Sequence, residues 1–386
     1  MDPSEISNRR ASATLSASDQ TGSAGEAAAT QAHTSQFHFR HIPELDGFRG
    51  VSILLVFVGH IVEYRAAGVR SYALATSCGS LGVLLFFVLS GFLITGLLHR
   101  ERSTTGKIDF RRFYVRRVLR LGPAFFLFLL TVVILMCFGL VTDVPRKEII
   151  ECLLYARNIF GRSLTLGHIW SLSLEEQFYL LWPFVFSILA LRRSANIVTI
   201  ICLSIATWRT AAIATHLFSY ESGIYSRRPY FRFDSILIGA CLVLWLASSP
   251  RALVLGRKLL SIVPPVVLWG ALLCWTALGE DLTHALYLSI QEILVAIVLA
   301  QLVLCNYTKY AAIFRSGALR YLGTISYSLY LWQQLFLVTS VPSWGPLREF
   351  PLCVVVPVAI AAASNHWIEK PVLGLKNRLA PQSLPK

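Results

Sequence analysis

Apolar runs of about 20 residues, the length a helix needs to cross a bilayer, recur through most of this chain. About ten are readable, near residues 45–64, 80–98, 119–141, 168–191, 196–216, 231–248, 260–278, 285–306, 319–340 and 351–370. A helix bonds all of its own backbone polar groups within one segment, which lipid demands. The chain is therefore predicted to be an all-α polytopic membrane protein of about ten transmembrane helices. Composition agrees: 55% of residues are hydrophobic, 15% are charged and mean hydropathy is +0.60, which excludes a soluble globular chain.

A net charge of +14 would suit nucleic acid if the cations formed one stripe. They lie instead in short loops between apolar runs, the pattern of membrane topology. With the N-terminus inside, 24 of the 35 Lys and Arg residues fall on the cytoplasmic side and 11 outside. This asymmetry predicts an even number of spans with both termini cytoplasmic, in the cell (inner or plasma) membrane, with the lipid bilayer and no nucleic acid as partner. Residues 1–41, rich in Ala and Ser and without an apolar block, read as a disordered tail. Residues 42–375 read as the transmembrane domain and 376–386 as a short cytoplasmic tail. The eight cysteines include no C-x-x-C pair and no histidine spacing for zinc, so no metal is expected. Cys78 and Cys152 fall in loops placed outside, where a disulfide is conceivable.

The first span opens on L-D-G-F-R-G and reaches His60. Arg49 and His60 are eleven residues apart, so on a helix they share one face with a rise of roughly 16 Å between them. One face thus carries a cation at the membrane edge and an imidazole beyond mid-membrane. Two readings stand at this point: a functional site, as intramembrane ionisable groups usually mark, or a snorkelling arginine and a histidine satisfied by packing. In the second span, Ser90 and Gly91 read as a close helix contact, the hydroxyl bonded to its own i−4 carbonyl. A nucleophilic Ser90 with His60 as its base is the alternative. Ahead of the third span, Arg117 and Arg120 stand three apart, hence side by side on a helix. Arg116 is adjacent, and Pro123 is expected to end or kink that turn. Such a fork pair suits phosphate, although topology alone or anionic lipid headgroups would also account for basic residues there.

The fourth span opens H-I-W-S-L-S-L-E-E-Q-F-Y. Two adjacent carboxylates one turn into an apolar span cannot both face lipid, so Glu175 or Glu176 faces the bundle. A structural pairing with an arginine such as Arg232 and an acid that orients a catalytic histidine are the two readings. Arg232 and Asp234, two apart at the start of the sixth span, point to different helix faces and are expected to pair with other helices.

Taken in order, these segments carry a resemblance. They are R-x10-H in the first span, F-F-V-L-S-G-F in the second, R-R-x-x-R-x-x-P before the third and W-S-L-x-x-E-x-x-F-Y in the fourth. R-F-D-x-x-x-x-G follows in the sixth, I-S-Y-S-L-Y-L-W in the ninth, and W-I-E-K-P closes the set. Over roughly residues 42–375 the chain resembles the acyltransferase 3 family of integral membrane O-acyltransferases. The resemblance implies transfer of an acyl group, commonly acetyl, from cytoplasmic acyl-CoA to a hydroxyl of a carbohydrate, glycan or glycolipid acceptor. It places acyl transfer on Arg49 and His60, with Glu175 as a third position of less settled role. It places acetyl-CoA binding on Arg117 and Arg120, flanked by Arg116. Ser90, Arg232, Asp234 and Tyr327 are substrate-side or structural polar positions. Two residues depart from the family pattern: Phe48 stands where leucine is usual, and Gln333 where histidine is frequent. A stand-alone transmembrane form is expected, without the hydrolase-like domain that some members append.

On this reading the acetyl-CoA phosphates meet the arginines on the cytoplasmic face and the pantetheine arm runs up to His60. The imidazole then acts as general base on the acceptor hydroxyl or carries the acyl group itself. The rival from another class is a secondary transporter of a small anionic solute. Against it, the charged constellation of the first four spans has no counterpart in the second half.

Overall fold

The computed structural model describes residues 42–65, 69–161, 163–189, 191–215, 217, 227–248, 250–278, 286–305, 307–337 and 344–379. The expected N-terminal tail, 1–41, lies outside them. Every regular element among the described residues is helical. We number the longer helices α1 (Pro43–Arg65), α2 (Val69–Thr105), α3 (Phe110–Cys137), α4 (Arg146–Leu153), α5 (Ile169–Ile188), α6 (Leu191–Ala214) and α7 (Pro229–Ser248). They continue with α8 (Pro250–Ile262), α9 (Pro265–Leu278), α10 (Tyr287–Leu304), α11 (Thr308–Arg315), α12 (Gly317–Leu337), α13 (Leu352–Ser364) and α14 (Lys370–Leu379). Helix α14 crosses the boundary at 375, so the first residues of the supposed C-terminal tail are helical.

Seven helices among the described residues are long and apolar enough to cross a membrane, and an eighth span results if α8 and α9 count as one. This falls short of about ten. Helices do stand at the two remaining positions, and α5 and α12 have span length at 20 and 21 residues. They are too polar, because Glu175, Glu176 and Gln177 interrupt the one and Ser326, Ser328, Gln333 and Gln334 the other. Those polar residues are what the two helices bring to the interior.

The bundle is apolar on its outside as well as in its core. Phe126, Leu130 and Ile134 recur every fourth residue of α3 at 46–56% exposure, while Phe125, Phe128, Leu129 and Val132 on its other side are buried. An uncovered apolar stripe of this kind is stable only against lipid. Helices α8 and α9 meet at an 84° bend. The carbonyls freed there are bonded by neighbours: Gln301 donates to Leu260 (3.0 Å) and Val263 (2.7 Å), and Tyr307 donates to Ser261 (2.6 Å). Broken helices at membrane depth need that satisfaction.

Helix α2 ends at Gly106 (φ +73°), and Asp109 caps α3 by accepting the Arg112 amide at 2.9 Å. Helix α3 therefore starts at Phe110, earlier than the apolar run, and the arginine segment is its first turns. Pro123 sits inside it without ending it. The connection to α5 is held by polar bonds, the innermost of them buried. Arg157 pairs with Glu148 at 3.2 Å, Asp143 accepts the Leu164 and Thr165 amides, and Gln177 of α5 donates to the Tyr155 carbonyl at 2.7 Å. All eight cysteines are free, so Cys78 and Cys152 form no disulfide. Burial pushes the Cys152 thiol up to about 12, which makes it a poor nucleophile.

Close backbone packing joins α2 to α7. A Cβ on Gly91 would lie 1.9 Å from the Ile236 carbonyl, and one on Gly239 would lie 1.9 Å from the Val88 carbonyl. The glycines of two sequence motifs thus let two backbones touch, the usual route to close association in lipid.

Candidate active site

Five helices converge on a cavity of about 690 Å³, counted with its open mouth. Their lining residues follow helical spacing: Ser171, Glu175 and Tyr179 from α5, Arg117 and Arg120 from α3, Tyr327 and Tyr330 from α12. Arg49 of α1 and Ser90 of α2 complete the polar wall. Residues three or four apart share a helix face, so each helix turns one polar stripe inward and its apolar remainder outward.

The charges here are unevenly matched. Arg117 stacks on the Tyr179 ring, its guanidinium carbon 3.3 Å from the ring centroid, and lies 3.5 Å from Glu176. Arg49 lies 3.6 Å from Asp46. Ser90 and Tyr179 both donate to Glu175, at 3.1 and 3.4 Å. Arg120 has no hydrogen bond or ion pair among the described residues, and its electrostatic neighbours include Arg49 and Arg117. Three guanidiniums face one cavity, the chemistry that bidentate bonding to an oxyanion uses, beside the carboxylate of Glu175.

Several expectations change. The Ser90 hydroxyl serves Glu175 rather than its own helix. Glu176 finds Arg117, not Arg232. Glu175 belongs to the cavity, whereas the side chain that accepts a hydrogen bond from His60 is Gln333. His60 shares α1 with Arg49 but does not line the cavity. Arg116 turns away from it, toward Arg112, Glu101 and Asp109. Tyr327 lines the cavity and donates to the Leu121 carbonyl at 3.1 Å.

Arg232 and Asp234 lie elsewhere. Asp234 pairs with Arg209 of α6 at 2.8 Å, and Arg232 lies 5.9 Å from the Trp170 ring. Arg209 also donates to the Phe231 carbonyl (2.7 Å) and Ser289 (2.7 Å), and it lies 3.6 Å from Glu292, which accepts from Ser235. No cavity residue belongs to this cluster. Among the described residues, no three His, Cys, Asp or Glu side chains are grouped to hold a metal.

Sequence reading missed four polar residues. Tyr179 and Ser171 were legible as the i+4 and i−4 neighbours of Glu175. Arg209 was legible as a lone cation in an apolar run. His168, which heads α5, gave no signal beyond its type, yet it is 4% exposed and interacts electrostatically with His60.

A family model described as an acyltransferase domain, that of acyltransferase 3, matches residues 42–365. The chain belongs to this family. It is similar to "Putative peptidoglycan O-acetyltransferase YrhL" of Bacillus subtilis, with 32% identity over 371 residues, 88% of this chain and 56% of the relative. It is also similar to "Peptidoglycan O-acetyltransferase OatA" of Listeria monocytogenes, with 26% identity over 88% of this chain and 57% of the relative. The chain thus spans a little over half the length of these relatives. No solved structure matches it. Family membership gives the cavity a chemical frame: a multi-pass membrane acyltransferase domain, which implies an acyl donor.

Proposed function

We propose that the chain is a membrane O-acetyltransferase. It takes an acetyl group from acetyl-CoA at the arginine cavity and passes it, at His60, to a hydroxyl of a glycan acceptor of the peptidoglycan kind. The observation that carries this reading is the unengaged Arg120 beside Arg49 and Arg117, at the foot of the helix that bears His60. The basic loops put that mouth on the cytoplasmic side, where acyl-CoA is found. The phosphates sit on Arg117 and Arg120, Arg49 steadies the carrier, and the thioester extends along α1 over roughly 16 Å to the imidazole. There His60 removes the acceptor proton or takes the acyl group as an acyl-imidazole. Gln333 orients the ring by its hydrogen bond. Glu175, held by Ser90 and Tyr179, keeps Arg117 and the Tyr179 ring in place at the cavity wall. Purified protein is expected to release thiol from acetyl-CoA, and His60→Ala to slow this by about 10²–10⁴-fold. An unchanged rate in His60→Ala sinks the assignment.

A further inference from the structure

Helix α12 brings two histidines into one patch. Its Gln333 bonds His60, and Tyr330, one turn earlier and on the same face, donates to the His168 carbonyl at 2.8 Å with its ring 5.3 Å from the imidazole. His60 and His168 lie within electrostatic reach of each other. Phe128 closes the other side of His168, with ring centroids 5.7 Å apart. Both ring nitrogens of His168 are buried without a hydrogen-bond partner among the described residues, and the Leu331 backbone lies near enough to act on the ring. Trp332 Nε1 and Gln334 Oε1, on the same turn of α12, are also buried and without a partner among the described residues. Native interiors pair such atoms with water or ligand. A packing histidine would satisfy at least one nitrogen. The patch therefore holds donors and acceptors that fit a hydroxyl group, beside the imidazole that handles the acyl group.

We propose that His168 is the acceptor-side base of the reaction, a role that rests on the reading of His60 as acyl carrier. A group that holds the acyl on its nitrogen cannot also take the acceptor's proton, and a second imidazole divides the two tasks. In this step the acceptor oxygen bonds the acyl carbon and the bond from that carbon to the His60 nitrogen breaks. The hydroxyl proton passes to His168 and from there to the nitrogen that His60 has just freed, which restores both rings. No redox partner is needed, and atoms and charge balance.

The test uses the full chain in detergent with radiolabelled acetyl-CoA and two nucleophiles. Pentameric N-acetylglucosamine supplies hydroxyls that need a base; hydroxylamine attacks an acyl-imidazole without one. In His168→Gln, transfer to the pentamer is expected to fall about 10²–10⁴-fold, while hydroxylamine-dependent thiol release stays within about fivefold and the melting temperature holds. Wild-type transfer to the pentamer in His168→Gln overturns the proposal, as does an equal loss with both nucleophiles, which marks a structural role. His60→Ala separates the underlying reading: if hydroxylamine turnover survives there, the acyl-carrier role of His60 fails, and this proposal with it.

Discussion

Arg209 is buried among helices and Arg120 stands exposed at the cavity mouth, and the two guanidiniums are in opposite conditions. Arg209 is 3% exposed and spends its terminal nitrogens on Asp234, Ser289, a carbonyl and the field of Glu292. Arg120 faces an open cavity with like charges beside it and no hydrogen bond or ion pair among the described residues, only the fields of Tyr179, Asp46 and Glu369. Each cluster draws on motif residues, and each would be flagged by the rule that intramembrane charge marks function. What separates them is satisfaction. A closed network fixes α6, α7 and α10 against one another; an open one keeps its bonding capacity for something that arrives.

The largest effect that tests this contrast is on donor binding. Arg117→Ala with Arg120→Ala removes two charge-assisted contacts of about 1.5–3 kcal/mol each, so acetyl-CoA affinity is expected to fall by about 10²–10⁴. Calorimetric titration reads this directly. Arg120→Ala alone should leave the melting temperature unchanged or raised, because it relieves repulsion from Arg49 and Arg117. A lowered melting point would mean that Arg120 is a structural cation after all.

Arg209→Met is the mirror experiment. Two buried carboxylates lose their shared cation, and breaking such a pair costs about 3–5 kcal/mol. The expected result is a sharply lower melting temperature in detergent, with donor affinity intact in whatever remains folded. If the variant melts normally but no longer binds acetyl-CoA, the closed cluster is part of the site and the contrast collapses.

Packing between the clusters gives a smaller effect. Gly91→Ala or Gly239→Ala places a methyl group 1.9 Å from a backbone oxygen of the facing helix, and overpacking of this kind costs about 1–3 kcal/mol. The two sites share one contact, so the double variant should lose less than the sum of the singles. Additive losses would show that α2 and α7 yield independently at the two positions.

These expectations also mark what the sequence made legible. The helical class followed from run length, while the polar stripe of α5 went unread although Ser171, Glu175 and Tyr179 keep a four-residue spacing. The pairing of charges did not follow. Glu176 meets Arg117 across 59 positions, and Asp234 meets Arg209 across 25, distances over which no local periodicity acts. Of about ten expected spans, seven or eight are long and apolar enough by composition among the described residues, because the middles of α5 and α12 carry the interior's polar groups. His168 escaped notice since a single histidine beside an aromatic belt resembles interface anchoring.

Gln333 offers the smallest and most discriminating change. Its side chain bonds His60. If that bond only packs the core, Gln333→Leu should alter stability slightly and leave turnover alone. If it sets the ring of a working imidazole, losing one neutral hydrogen bond of about 1 kcal/mol should slow thiol release about fivefold with little change in acetyl-CoA affinity, because the arginine cavity is untouched. A drop in affinity with an unchanged limiting rate would instead tie Gln333 to the donor seat, and the separation between an anion-binding cavity and an imidazole patch farther along α1 would have to be given up.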